Sequence, residues 1–271
     1  MSYQVRLDYA TFNFLAGKMN QWEVGRQLLG QADIGFQRKG LNEGSPLNSP
    51  LGLRWMENSG YSEMPHKLEV KGVGCEHFAL TLPNLRSAAE CRFSRLDFAF
   101  DVITDRAAWR KFLCGAFSSS MNSDRVLKRF KLTGDGEAMT VYIGSRKCAK
   151  YFRIYNKTLQ DPKYKYNVDG KDVDVLEGQC VIRYEIELHR FKDSHHTFDP
   201  SPLFDWYYSS EKHKELEAFL KKEWLSYGND ILLPPGFEDA EFSFRIDEKN
   251  KNFVQSGEET PLEVVHKELH D

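Results

Sequence analysis

The sequence predicts an α+β protein: mainly antiparallel β-sheet with two or three inserted or flanking helices. Three observations predict it. Strand-like segments rich in β-branched and aromatic residues dominate the chain. Short Gly-containing turns separate several of them, and the GDGE stretch between Leu132 and Met139 is a hairpin signal. Helical spacing appears in only a few places, so hairpin connections are favoured over a doubly wound sheet.

The elements follow in order. Residues 4–15 read as a strand, and residues 20–29 as a helix with Trp22, Leu28 and Leu29 as core contacts and Gly25 against it. Residues 40–60 read as a loop or hairpin region, and residues 66–82 as strands broken by Gly72 and Gly74. Residues 93–103 form a strong strand. Thr104 is then an N-cap, and Ala108, Trp109, Phe112, Leu113 and Ala116 give the spacing of a helix of about three turns. Strands recur at 126–132, 139–143, 151–156 and 180–189, with a loop at 161–179. Residues 210–227 read as a helix with Leu216, Phe219, Leu220, Trp224 and Tyr227 on one stripe. Residues 1–230 thus form the folded domain. Residues 231–271 form an acidic, partly flexible tail, with a short helix expected from Pro261. No solenoid-type repeat is present.

The 271 residues suffice for one large domain or two small ones. With 37 basic and 40 acidic residues the net charge is -3, which excludes a uniformly basic nucleic-acid coat. The charge is nonetheless uneven. Residues 125–157 carry nine cations against two acids, interleaved with aromatics, while residues 211–271 carry fifteen acids against eight bases. Solvated faces account for such runs, and so does a single-strand groove in which cations track phosphates and rings stack on bases. No stretch is apolar enough to span a membrane, and no secretory signal is visible. The five cysteines lack a CxxC pair, so reduced thiols, mostly in the core, and a cytoplasmic location are expected.

Side chains alternate along a strand, so residues two apart share a face. In SRLDFAFD, Leu96, Phe98 and Phe100 make an apolar face, and Arg95, Asp97 and Asp101 a polar one, with small Ala99 between the carboxylates. In FRIYNK, Arg153, Tyr155 and Lys157 oppose Phe152 and Ile154. In VIRYEIELH, Arg183, Glu185, Glu187 and His189 oppose Ile182, Tyr184, Ile186 and Leu188. If the three strands pair, their polar faces combine. A wet face of cross-strand ion pairs has this pattern. So does a site in which a hard divalent ion, Mg²⁺ or Mn²⁺, relieves the repulsion between carboxylates. A tyrosine flanked by Arg153 and Lys157 beside such a site suits attack on a phosphodiester, because cations favour the phenolate and an ion neutralises phosphate charge. A free phenol titrates near a pH of about 10 and needs that help.

The blocks SRLDFAFDV, TVYIGSRKCAKYFRIYNK and VIRYEIELHR resemble the replication initiation factor family (Rep_trans type) of rolling-circle plasmids and filamentous phages. VRLDYATFNF and KLEVKGVGCEHF are similar to its weaker N-terminal signatures, so the likeness spans residues 5–190. The resemblance implies a metal-dependent enzyme that nicks and joins single strands at an origin. Tyr155 matches the nucleophile, which would hold the 5′-phosphate and leave a 3′-OH for a polymerase. Asp97, Asp101 and Glu185 match acidic positions suited to metal ligation, with Asp8 a further candidate. Arg146, Lys147, Arg153, Lys157 and Arg183 would contact DNA phosphates. Single-stranded or cruciform origin DNA is the expected partner, with a host helicase and polymerase; a homodimer is compatible and no membrane is involved. A catalytically inactive origin-binding or regulatory protein is the alternative. Little follows residue 230 to specify an origin, and His195-His196 is a tandem pair rather than a His-hydrophobe-His metal motif.

Overall fold

The computed structural model describes residues 2–30, 35–38, 46–57, 64–88, 90–122, 130–168, 171–192, 197–227, 233–234 and 236–244. Its elements in chain order begin with β1 (Ser2–Phe14), α1 (Gln21–Leu29), β2 (Gln37–Arg38), β3 (Leu47–Asn48), β4 (Leu53–Met56), β5 (His66–Lys71), α2 (Gly72–His77) and α3 (Leu82–Ala88). The middle of the chain forms β6 (Cys91–Asp105), α4 (Arg106–Asn122), β7 (Phe130–Thr133), β8 (Thr140–Gly144), β9 (Lys150–Asn156), α5 (Lys157–Gln160), β10 (Tyr166–Val168), β11 (Lys171–Val173) and β12 (Gln179–His189). After these come β13 (Phe191–Lys192), β14 (Thr197–Phe198), α6 (Ser201–Tyr208), α7 (His213–Tyr227) and β15 (Glu241–Phe244). The fold is α+β with mainly antiparallel strands, as expected, and it carries more helices than expected.

Among the described residues, the chain forms two compact units. One is built from residues 2–6, 97–198 and 209–244, the other from residues 7–96 and 199–208. β1 and β6 therefore each contribute to both.

In the first unit the strands run β15, β1, β6, β12, β9, β8, β7. β15 lies parallel to β1, and the β12–β9–β8–β7 steps are antiparallel. The apolar face expected from alternation is the core. The Phe100 and Tyr184 rings stack at 5.1 Å, and Phe152 meets Trp224 edge-on at 4.7 Å. Helix α7 covers this face because Leu216, Leu220 and Trp224 recur every four residues and all are buried. Emptying a site like that of Phe152 costs about 3–5 kcal/mol.

In the second unit the order is β2, β3, β4, β5, β1, with every step antiparallel. Its core holds Phe12, Phe14, Trp55, Leu68, Phe93 and Phe204. Helix α1 starts where the Asn20 side chain accepts from the Glu23 amide and stops at Gly30, whose φ of 71° is left-handed.

Several expectations need correction. Trp22 is 52% exposed instead of a core contact. Residues 72–77 form helix α2, so Gly72 and Gly74 do not break strands. Gly74 is required for close packing instead: a Cβ there would lie 2.9 Å from the Leu51 carbonyl oxygen. Thr104 is no cap, since β6 continues to Asp105, and α4 runs for 17 residues. The stretch read as a loop at 161–179 contains the β10–β11 hairpin. Helix α6 went unread. Residues 241–244, read as tail, form a strand on β1.

Arg125, Lys128, Arg129, His195, His196 and the stretch from Pro261 lie outside the described residues. All five cysteines are free, and Cys75, Cys91 and Cys180 are buried. Among the described residues no helix is long and apolar enough to cross a membrane.

Candidate active site

The three polar strand faces do combine, and they do so within the first unit. In the register of β9 and β12, Arg153 stands opposite Glu185 and Tyr155 opposite Arg183. Directly paired residues share a face. Of the two readings of this pattern, the solvated face does not hold. Asp97, Glu185 and Glu187 are fully buried, and Asp101 and Arg183 are each 3% exposed. Over Asp101 and Arg183 the cover comes from the chain after β9. Asn156 ends that strand and caps α5, its side chain accepting from the Leu159 amide at 3.2 Å. The following turn carries Tyr164 back to the sheet, where its hydroxyl donates to Asp101.

Two clusters result. In the first, oxygens of Asp97, Glu185 and Glu187 lie within 4.8 Å of one another. The Arg153 guanidinium sits among them. It is paired with Glu185, lies 3.7 Å from Asp97, and has its Nε 3.1 Å from Glu187. His189 Nε2 and Arg146 Nη2 approach Glu187 at 3.3 and 3.5 Å. Two guanidiniums, Arg153 at the centre and Arg146 at the edge, against three carboxylates still leave excess negative charge, and the donors are hard oxygens. That set fits a divalent ion such as Mg²⁺ or Mn²⁺.

The second cluster is built on Asp101. Arg183 donates to both its oxygens, at 2.8 and 3.0 Å, while Arg6 and Tyr164 bond Oδ2. Burial raises the Asp101 pKa, but the charges of Arg183 and Arg6 overcome this and hold the carboxyl well below its usual range. Asp101 is therefore committed to cations and does not stand with the carboxylates of the first cluster. The third carboxylate grouped with Asp97 and Glu185 is Glu187 and not Asp101. Burial, then the Asp101 charge, pushes the Tyr164 phenol up, so it remains a protonated donor.

Tyr155 stands at the first cluster. Its hydroxyl donates to Glu185 Oε2 at 3.3 Å, and 8% of the residue is exposed. The phenol and the acids share one side of the sheet. Of the expected phosphate-contacting residues, Arg153 and Arg183 are engaged by carboxylates. Lys157 Nζ lies 5.4 Å from the Tyr164 ring centre, and Arg146 and Lys147 are exposed on the loop between β8 and β9. A cavity of about 500 Å³, lined by Arg106, Lys163, Tyr164, Lys165 and Leu176 among others, adjoins Tyr164.

Arg6 and Tyr164 were not expected at the site, and Glu187 was expected only on the polar face of its strand, not as a ligand. Glu187 carried a usable signal, the same strand parity as Glu185. Arg6 and Tyr164 carried none, because each reaches Asp101 from far along the chain.

An antiparallel α+β unit whose buried polar face joins a carboxylate cluster to a tyrosine is the class that these observations define. Residues 91–199, which hold every residue of both clusters except Arg6, match the Rep_trans family, replication initiation factor, and the resemblance read from the motifs is borne out over that segment. Among solved structures the chain is similar to a rolling circle replication initiator protein from Geobacillus stearothermophilus. The TM-score is 0.54 at 17% identity, covering 93% of this chain and 96% of that one, which supports the fold. No curated protein matches.

Proposed function

We propose that the protein initiates rolling-circle DNA replication by nicking and rejoining one origin strand through a covalent tyrosine–DNA intermediate. The observation that carries this reading is the Tyr155 hydroxyl, 3.3 Å from Glu185 beside the three-carboxylate cluster. The Tyr155 oxygen attacks phosphorus, forming an O–P bond as the bond to the 3′ oxygen breaks. The phenol proton departs toward Glu185, whose Oε2 already accepts it. The leaving 3′ oxygen takes up a proton from water, so the products are a 5′-phosphotyrosine and a 3′-OH, and joining is the reverse displacement. Asp97, Glu185 and Glu187 would hold the divalent ion, which when bound neutralises nonbridging phosphate oxygens. Arg153 keeps these carboxylates together, and the exposed Arg146 and Lys147 contact the strand. The Arg106, Lys163 and Lys165 side chains of the adjoining cavity add cations beside Tyr164.

The direct test incubates the full chain with Mn²⁺ and single-stranded origin DNA, then looks for an adduct that survives denaturation. Mass mapping of that adduct is expected to land on the peptide carrying Tyr155. Mapping to Tyr151, Tyr142 or Tyr164 would move the nucleophile, and the absence of any adduct with tight DNA binding would favour the inactive origin-binding alternative.

A second test concerns the ion. Glu187→Gln is expected to raise the Mn²⁺ concentration needed for half-maximal cleavage by at least about 10-fold, because ligand loss weakens a carboxylate site. An Mn²⁺ titration of Glu187→Gln that overlays the wild type would remove Glu187 from the ligand set.

A further inference from the structure

The second unit repeats the topology of the first. Within it the chain runs strand, helix, then four strands (β1, α1, β2 to β5), and the spatial order is β2, β3, β4, β5, β1. The catalytic unit runs β6, α4, β7, β8, β9 and, after the α5 and β10–β11 excursion, β12, in the spatial order β7, β8, β9, β12, β6. In each, the first strand of the series neighbours the last.

The correspondence extends to residues. Phe152-Arg153-Ile154-Tyr155 of β9 matches Leu53-Arg54-Trp55-Met56 of β4, and Arg183-Tyr184-Glu185-Ile186-Glu187 of β12 matches Lys67-Leu68-Glu69-Val70-Lys71 of β5. The registers agree. Arg54 stands opposite Glu69 as Arg153 stands opposite Glu185, and Met56 opposite Lys67 as Tyr155 opposite Arg183. The ion pair is kept, with Arg54 3.4 Å from Glu69.

The differences are chemical and all point one way. Met56 stands where the nucleophile would be. Lys71 stands where Glu187 would be, so the third carboxylate is replaced by a cation. No group of three metal-ligating side chains occurs among the described residues of this unit. What remains is a polar face with Tyr9, Thr11 and Asn13 opposite Lys71, Glu69 and Lys67. Arg95 lies over the Tyr9 ring at 4.3 Å, and Lys67 is 2.9 Å from Glu69. Four cations, Arg54, Lys67, Lys71 and Arg95, stand with the carboxylate Glu69 and with Asp8, whose Oδ1 lies beside Gly72. The Glu69 pKa, raised by burial, is brought below its usual value by Lys67, Tyr9 and Arg54.

We infer that this face is a degenerate copy of the catalytic face, converted from cutting DNA to holding it, and that Arg54 and Lys71 bind the phosphodiester backbone. The assignment rests on the reading that DNA is this protein's substrate. Charge selects the ligand: the copy has lost the carboxylates that call for a metal ion and kept the cations that pair with phosphates. Arg95 covers the Tyr9 ring, so the recognised feature is the backbone and not a stacked base.

The test is a salt titration of DNA affinity by fluorescence anisotropy, using the full chain. One labelled probe is a 20-nucleotide thymidine strand; the other is a 20-base-pair duplex of mixed sequence. Arg54→Gln and Lys71→Ala are each expected to weaken binding to at least one probe. Each should also reduce its log–log salt slope by about 0.7 for the strand or 0.9 for the duplex, the value for one phosphate contact. The probe affected identifies the DNA form held there. Lys214→Ala, an exposed lysine on α7, is the control and leaves both slopes unchanged. Circular dichroism checks that each variant folds, and Lys71 is exposed, so its removal leaves the core alone. Wild-type slopes for both variants on both probes would overturn the assignment. The catalytic reading fails separately: a missing Tyr155 adduct alongside reduced slopes removes nicking and leaves this face in place. A normal adduct with unchanged slopes does the reverse.

Discussion

Tyr155→Phe is expected to abolish covalent capture of DNA while leaving the protein folded and able to bind its strand. The substitution removes a single oxygen. With Tyr155 as the proposed nucleophile, phenylalanine leaves no oxygen at that position to bond phosphorus, so the loss exceeds about 10³-fold. Stability changes little by comparison. The phenol donates a hydrogen bond to Glu185, whose other oxygen is held by Arg153. Losing that bond costs about 1–2 kcal/mol. Tyr164→Phe is the informative contrast. Its hydroxyl bonds Asp101 and receives from Arg6 and Arg183, so its loss disturbs the second cluster but leaves the nucleophile in place. An adduct that persists in Tyr155→Phe and vanishes in Tyr164→Phe would reverse the two assignments.

Arg183→Met is expected to lower the unfolding free energy by about 3–5 kcal/mol, read as a fall in the urea midpoint. Removing one partner of a buried ion pair leaves the other charge uncompensated in a poorly hydrated place. Asp101 and Arg183 form a two-pronged pair with side chains 2% and 4% exposed. Arg6 remains beside Asp101 and limits the damage. The double variant Asp101→Leu/Arg183→Met is expected to recover only part of the loss: Asp101 no longer sits without Arg183, but Arg6 loses its carboxylate. Additive losses in the double variant would show that the two side chains act independently.

The same pair sets an acid limit. The folded Asp101 pKa lies below its ordinary 3.8, so its contribution to stability is fully present above that value. It is lost only as the pH falls below it, through the folded pKa. Wild type and Arg183→Met are therefore expected to differ most above a pH of about 4 and to converge on acidification. A difference that grows below that pH would contradict the assignment.

Much of the candidate site was legible because strand alternation is a local property. Once SRLDFAFD, FRIYNK and VIRYEIELH are read as strands, Asp97, Arg153, Tyr155, Glu185 and Glu187 must project from polar faces. Choosing between Asp101 and Glu187 was not a local matter. Both have the right parity, and what separates them is a neighbour: Arg183 claims Asp101, while Arg153 gathers Glu187 with Asp97 and Glu185. The burial of the polar face was equally hidden. Tyr164 lies in a stretch without periodicity, and nothing near it in the chain announces that it returns to β12.

The sequence by itself determined the strands, their apolar faces and the tyrosine with its flanking cations, because side-chain period and turn chemistry act over a few residues. Only the tertiary structure decided which carboxylate each cation would neutralise, that the charged face would be shut away from water, and that β4 and β5 would restate β9 and β12 with a methionine in the tyrosine's place. Those outcomes depend on Coulomb interactions and burial between residues tens of positions apart. Such terms come into being only when the strands pair.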